Sequence, residues 1–276
     1  MTLVYRALRT AADTLARAGV PDPAVDAALL LSFVTGKEPL RLRAEGYEEL
    51  NEAHEAAFAR LVQRRATREP LQYILGDAPF MGRMFKVTPD TLIPRADTEV
   101  LCERALKRID GGMRVLDLCT GTGILAITIA CERRAARVLA GDVSPAALCV
   151  ARENTQALGA AVEYRCGDLF SPFAGERFDV IVSNPPYICQ EDMAHLQEEV
   201  RCEPALALDG GADGLELYRR IAREAPEHLN PRGYLLLEVG CDGGAAVAEL
   251  LHERFCDICV LPDLRGLDRV VEARLP

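Results

Sequence analysis

The 276-residue chain contains no tryptophan, only four histidines and 5% aromatic residues. The histidines stand at 54, 195, 228 and 252, and no two are spaced as metal ligands are. No metal centre is therefore expected. Ten cysteines are present, but they are scattered through apparent core segments of a long chain. Cys256-x-x-Cys259 is a single CxxC with no second pair, so neither a zinc site nor a disulfide framework is indicated. Reduced thiols in a cytoplasmic protein fit this usage. No apolar run reaches the roughly 18 residues of a membrane span. The opening "MTLVYRALRTAADTLARAG" lacks the continuous apolar core and the cleavage site of a secretory signal. A basic half is missing too. Residues 1–70 carry ten Lys/Arg and ten Asp/Glu, so all of the net charge of −10 falls after them. Nucleic-acid binders present a basic face to phosphates, and no direct nucleic-acid partner is expected. Arg60, Arg64, Arg65 and Arg68 cluster locally and read as a solvated helix face.

What is present has two textures. Residues 1–70 read as a small helical bundle. "LVYRALRTAADTLARAG" has apolar residues at helical spacing and ends at Gly19. "DPAVDAALLLSFVTG" opens on Asp22-Pro23 and ends at Gly36, and "YEELNEAHEAAFARLVQRRATRE" is amphipathic and must stop by Pro70. Residues 71–96 are broken by Gly76, Pro79 and Gly82 and predict a β-hairpin connector. From residue 97 to 276 strand-like and helical segments alternate, beginning with "MRVLDL". That order predicts an α/β domain of parallel strands with helices on both faces. Sites in such sheets lie outside the carboxyl ends of the strands.

Two of those ends carry chemistry. The first is Asp117-Leu118-Cys119-Thr120-Gly121-Thr122-Gly123, a turn whose glycines allow close approach of a ligand. Gly121-x-Gly123-x-x-Ala126 also fits a dinucleotide fingerprint, with Asp142 placed to hold a ribose. Asp117 at the strand end would repel a pyrophosphate and attract an ammonium group, and Asp168 closes the next strand. Three aspartates at three strand ends suit a cationic, hydroxylated, phosphate-free ligand, namely S-adenosylmethionine. The plainer reading of each aspartate alone is a cap or turn residue.

The second is "SNPPYI", which follows the apolar strand "FDVIV". Neither proline can donate to a ladder, and Pro186 biases Pro185 to an extended backbone, as Pro185 does Asn184. Asn184 Oδ1 and the Pro185 carbonyl can then converge on the two hydrogens of one planar NH2 group, with Tyr187 stacked on its plane. Such a nitrogen is an amide or an exocyclic amine. The site must hold it in line with the methyl–sulfur bond and favour the charge that grows on it.

The whole chain resembles the release-factor glutamine methyltransferases of the HemK/PrmC type. "SNPPYI" and "DLCTGTGILAI" carry the general likeness. "EPLQYILG", "LIPRADTE", "EPALALDGGADGLELYR" and "LLLEVG" carry the narrower one. The resemblance implies a seven-stranded Rossmann-like methyltransferase domain behind an N-terminal bundle that helps bind class I peptide-chain release factors. The implied reaction is methylation of the Gly-Gly-Gln glutamine on its side-chain nitrogen. Carried onto this sequence, Cys119, Thr120, Gly121, Thr122 and Gly123 wrap the methionine part of S-adenosylmethionine. Asp142 holds the ribose, and Asp168 and Leu169 lie by the adenine. Asn184 borders the cofactor and, with Pro185, Pro186 and Tyr187, holds the target amide. A monomer is expected. Cys119 stands where the family usually has glycine, and Leu169 where an aromatic is common. The rivals are an adenine-N6 methyltransferase, which the charge opposes, a ribosomal-protein glutamine methyltransferase, a nicotinamide dehydrogenase, and a non-catalytic cofactor-binding protein. The last two leave "NPPY" without a purpose.

Overall fold

Apolar residues at helical spacing fold the N-terminal segment into helices. The computed structural model describes residues 2–276. It divides them into two units. The first runs to Gly76 and takes in Gln197–Cys202, and the second holds Asp77–Leu196 and Glu203–Pro276.

The first unit contains α1 (Val4–Arg17), α2 (Pro23–Thr35), α3 (Pro39–Ala44), α4 (Glu52–Ala66) and α5 (Leu71–Leu75). α1 buries Val4, Ala7, Ala11 and Leu15 along one stripe. α2 starts on Pro23 and stops at Gly36, whose φ of 67° is left-handed. Asn51 caps α4, its Oδ1 accepting the His54 N–H at 2.7 Å. Leu15, Leu30, Leu31, Phe58 and Val62 form the core. Leu71–Leu75 was expected in the connector. It instead forms a helical turn, because Leu71 and Ile74 have this core to pack into.

The arginine cluster is a solvated face only in part: Arg60 and Arg64 are exposed, Arg65 and Arg68 are not. Arg65 is 4% exposed. Its Nε donates to Asp26 Oδ2 at 2.7 Å and its Nη2 to Glu199 Oε1 at 2.9 Å, while Arg68 Nε donates to Glu199 Oε1 at 2.7 Å. Burial raises the Glu199 carboxyl, but the Arg68 and Arg65 guanidiniums outweigh it and hold it down at about 2. A carboxyl depressed in the fold contributes stability above its ordinary value, and loses it as pH falls through the depressed one. Glu199→Gln is expected to cost on the order of 2–3 kcal/mol at neutral pH. Thermal melts of the full chain should separate from wild type above about pH 4.5 and converge toward pH 2.

The second unit opens with an antiparallel hairpin of β1 (Asp77–Phe80) and β2 (Arg83–Lys86), Asp77 facing Lys86. There follow α6 (Thr98–Leu106), β3 (Arg114–Leu118), α7 (Ile124–Glu132), β4 (Arg137–Asp142), α8 (Pro145–Leu158), β5 (Val162–Cys166) and β6 (Phe178–Ser183). The unit ends with α9 (Glu216–His228), β7 (Leu229–Glu238), α10 (Gly244–Leu251), β8 (Cys256–Pro262) and β9 (Asp268–Arg274). Among the described residues seven strands form one sheet in the order β5-β4-β3-β6-β7-β9-β8. β5, β4, β3, β6 and β7 are mutually parallel. β9 is antiparallel to β7 and β8, whereas the alternating pattern had suggested parallel strands throughout. The reason is the link 263–267, too short for a crossover. Both faces of the sheet are covered. Leu116, Leu118 and Ile181 pack with Tyr218 and Ile221 of α9 on one face, and Val115, Val180 and Val182 with Leu101 of α6 and Ile127 of α7 on the other. Chain order places β4 and β6 on opposite sides of β3, so a crevice opens at its carboxyl end. Among the described residues no helix is long and apolar enough to cross a membrane.

Candidate active site

A crevice of about 350 Å³ lies at these strand ends, within the size range of small-molecule sites. Cys119, Thr120, Gly121 and Thr122 reach it from the turn after β3, Asp142 from β4, Asp168 and Leu169 from beyond β5, and Asn184 and Pro186 from beyond β6.

The turn is built from left-handed residues. Cys119, Gly121 and Gly123 have φ of 57°, 53° and 85°. A Cβ on Gly121 would meet nothing within 4 Å, so its side faces open space where a ligand can approach the backbone. On Gly123 a Cβ would come within 2.9 Å of both Ile127 Cδ1 and Tyr164 Oη, so that glycine serves helix packing. Cys119 and Leu169 (φ 44°) both carry a side chain where the backbone favours glycine. A left-handed φ favours glycine at position 119, so the Cys119 side chain carries strain.

The three aspartates separate into three roles. Asp142 Oδ2 accepts the Gly121 N–H at 2.8 Å and Oδ1 the Ser144 N–H at 2.9 Å. It lines the crevice with lone pairs to spare. Burial raises its carboxyl, opposed by those N–H donors. Asp117, expected to face an ammonium group, is fully buried and is not on the crevice wall. Its Oδ2 accepts Thr120 Oγ1 at 2.6 Å and the Ala126 N–H at 3.2 Å. It braces the turn and the start of α7, and burial pushes it up to about 7. Asp168 is on the wall, but Arg220 Nη2 pairs with it at 2.6 Å and neutralises its charge. Asp142→Ala is expected to weaken S-adenosylmethionine binding by about 1.5–3 kcal/mol, the range of hydrogen bonds to a charged group. Calorimetry on the two proteins measures this, and unchanged affinity would remove Asp142 from the site.

Ser183 Oγ donates to Leu118 O at 2.8 Å and ties the end of β6 to β3. Asn184 follows, half-buried on the wall, its Nδ2 reaching Thr98 Oγ1 at 3.4 Å. Pro185 is buried and does not line the crevice; Pro186 does. Tyr187 was expected beside the target amide. It is off the wall, with its ring against Gly240, where a Cβ would stand 3.6 Å from it. Burial pushes its hydroxyl up to about 12. Tyr187 anchors the loop because the apolar core takes its ring.

Sequence reasoning left several residues out. Thr91 and the "LIPR" residues Leu92, Ile93, Pro94 and Arg95 line the crevice. Glu203, with 5% exposure, fixes them, accepting the Ile93 N–H at 2.9 Å and pairing with Arg95. Thr122 Oγ1 donates to Leu92 O at 3.0 Å. The segment "DGGADG" pairs with the "NPPY" loop. Ile188 N–H donates to Leu208 O at 2.9 Å, Gly210 N–H to Ile188 O at 2.8 Å, and Gln190 N–H to Gly211 O at 3.0 Å. The signal was visible as three glycines within five residues, 210, 211 and 214.

Known proteins resemble the chain along nearly its whole length. The PrmC N-terminal domain family matches residues 6–76, and the methyltransferase small domain family matches residues 96–210. The release factor glutamine methyltransferase of Cereibacter sphaeroides is 49% identical over 274 residues, 98% of each chain. That of Geobacter sulfurreducens is 44% identical over 95% of this chain and 93% of its own, and that of Bacillus subtilis 40% over 98% and 97%. Among solved structures, a methyltransferase from Pyrococcus furiosus superposes with a TM-score of 0.56 at 19% identity, over 79% of this chain and 96% of its own, a likeness of fold. The chain belongs to the release factor glutamine methyltransferase family.

Proposed function

We infer that the chain transfers a methyl group from S-adenosylmethionine to the side-chain amide nitrogen of the Gly-Gly-Gln glutamine in class I release factors. One observation carries the reading. Asn184, at the end of β6, opens into the same crevice as the glycine turn and Asp142. Asp142 keeps lone pairs beyond the two N–H groups it accepts, and Gly121 presents bare backbone beside it, which suits a hydroxylated cofactor. Asp142 takes the ribose hydroxyls, Cys119–Thr122 run along the methionine part, and Asp168 and Leu169 border the adenine. S-adenosylmethionine supplies an electrophilic methyl group on sulfonium sulfur. The protein's own task is positional. Asn184 Oδ1, on the crevice wall, accepts an amide hydrogen. That fixes the nitrogen in line and offers a negative dipole to the charge growing on it. An amide nitrogen that gains a bond becomes a strong acid, so no strong base is required.

The first unit has its own core and its own family match, and it holds none of the crevice-lining residues. It serves recognition of the intact release factor. A cytoplasmic setting fits both the free thiols and the partner. The test is incubation of the purified enzyme with S-adenosylmethionine and a full-length release factor, followed by mass spectrometry of the Gly-Gly-Gln peptide. The expected result is a gain of one methyl group on the glutamine. Methylation of a ribosomal-protein glutamine with none on the release factor would overturn the reading.

A further inference from the structure

Glu238 closes β7 in "LLLEVG", and nothing in the chemistry above uses it. It is 1% exposed. Strand register fixes its place. In the parallel pair of β6 and β7, Ser183 stands opposite Leu237, so the next residues along, Asn184 and Glu238, are neighbours at the strand ends. On its other side Glu238 pairs with Val270 of β9, and Tyr218 Oη donates to its carbonyl at 2.7 Å. Its carboxyl faces the side chains of Thr98 and Asn184, which meet each other through Asn184 Nδ2 and Thr98 Oγ1. Glu238 Oε2 has no hydrogen-bond partner although it is buried. A buried carboxylate with an idle oxygen costs stability. Such groups persist where a site needs them.

The need follows from the two ends of an asparagine amide. Asn184 must turn its acceptor end to the substrate and its donor end away. An ionised carboxylate accepts and cannot donate. Placed behind Asn184, it takes the Nδ2 end and repels Oδ1. Thr98 alone cannot make that choice, because a hydroxyl both donates and accepts. We propose that Glu238 is a positioning residue whose carboxylate, with Thr98, holds Asn184 Nδ2 and so aims Asn184 Oδ1 at the substrate amide. The proposal rests on the reading of Asn184 given above.

The surroundings make the device sensitive to pH. Burial pushes the Glu238 carboxyl up to about 7. Arg269 on β9 favours its ionised form, Asp97 ahead of α6 opposes it, and the hydroxyls of Tyr187 and Tyr218 are the other titratable groups it faces. Once protonated, Glu238 carries an O–H that can donate to Asn184 Oδ1, and the preference for one orientation is lost. Turnover is therefore present above about pH 7 and falls below it. Asp117 titrates in the same range under the turn, so the limb must be assigned by substitution.

The experiment measures single-turnover methylation of a full-length release factor at saturating S-adenosylmethionine, from about pH 6 to 8. It compares wild type, Glu238→Gln, Glu238→Ala, Asn184→Ala and the double Ala variant, with cofactor affinity beside each. Glu238→Ala is expected to slow methylation about 10- to 100-fold and leave cofactor affinity within a few-fold. The double variant should be no slower than Asn184→Ala alone, since the two residues act through one amide. Glu238→Gln keeps the shape, and it should be slower than wild type and lose the fall below pH 7. Additive losses in the double variant, or a wild-type pH limb in Glu238→Gln, would overturn the proposal. Failure of the underlying reading looks different, since Asn184→Ala would then match wild type while the Glu238 variants lost only thermal stability.

Discussion

Asn184→Ala is expected to slow single-turnover methylation of the release factor by about 10²–10³-fold, by analogy with loss of one preorganised hydrogen-bonding group from an oxyanion hole. Cofactor affinity should stay within a few-fold of wild type. The loop itself survives the substitution, because Ser183 Oγ holds Leu118 O and the prolines fix the backbone that follows. The acceptor disappears, and with it the Nδ2 donor to Thr98 Oγ1. Asn184→Asp is the finer probe. It retains an acceptor of the same size, and its charge would favour positive charge on the substrate nitrogen. It also loses the Nδ2 donor and brings a second carboxyl against Glu238, 1% exposed and already raised to about 7 by burial. Two facing carboxyls share a proton and resist full ionisation. The Asp variant should therefore be partly active at low pH and slow down as pH rises, opposite in direction to wild type. Rates for the three proteins across that range decide the matter, and equal rates for Ala and wild type would reduce "SNPPYI" to a strand terminator.

Much of this was legible in the chain, for reasons that differ by element. Strand and helix alternation after residue 97 is a matter of local period and punctuation, and it survives folding. The parallel core β5-β4-β3-β6-β7 follows from it. The antiparallel end does not, because the direction of β9 depends on a five-residue link and not on any pattern within the strand. α5 was invisible because Leu71 and Ile74 are helical only by virtue of the core they enter. At the site, residue type and place at a strand end pointed to Asn184 and Asp142, and both line the crevice. Of the three aspartates at the strand ends, Asp142 and Asp168 line the crevice and Asp117 does not. Asp117 sits where strand alternation turns its side chain into the fold, and Arg220, 52 positions on, pairs with Asp168. Nothing local in "CGDLF" announces that pairing. Tyr187 was misplaced for the same kind of reason: an aromatic ring goes where apolar surface waits for it. Glu203 and Glu238 act through neighbours more than fifty residues away, in the case of Asn184 and Glu238 joined only by register.

Gly214→Ala is expected to damage both fold and rate, and it tests whether "DGGADG" shapes the catalytic loop. Gly214 has φ of 73°, and a Cβ there would stand 2.5 Å from Tyr187 O. Tyr187 cannot retreat easily. It follows two prolines, and Ile188 after it is held by Leu208 O on one side and Gly210 N–H on the other. Gly210 is equally tight, with a Cβ 2.7 Å from Tyr187 Cα. The left-handed backbone costs about 1–2 kcal/mol for a side chain and a forced overlap about 1–3 more, so a total near 2–5 kcal/mol is expected. Gly175→Ala supplies the control. Its φ is 76°, yet nothing lies within 4 Å of its Cβ position, so it bears the backbone cost alone. Gly214→Ala should therefore melt several degrees below Gly175→Ala, at roughly 2–4 °C per kcal/mol for a domain of this size. At temperatures where both remain folded, it should also methylate at least about tenfold more slowly. A displaced Tyr187 moves Asn184, three residues earlier, off the line between methyl group and amide, and misplacement on that scale is what orientation-dependent transfer tolerates least. If the two variants melt and turn over alike, the glycines do not clamp the loop, and the position of Asn184 is set from β6 and Glu238 alone.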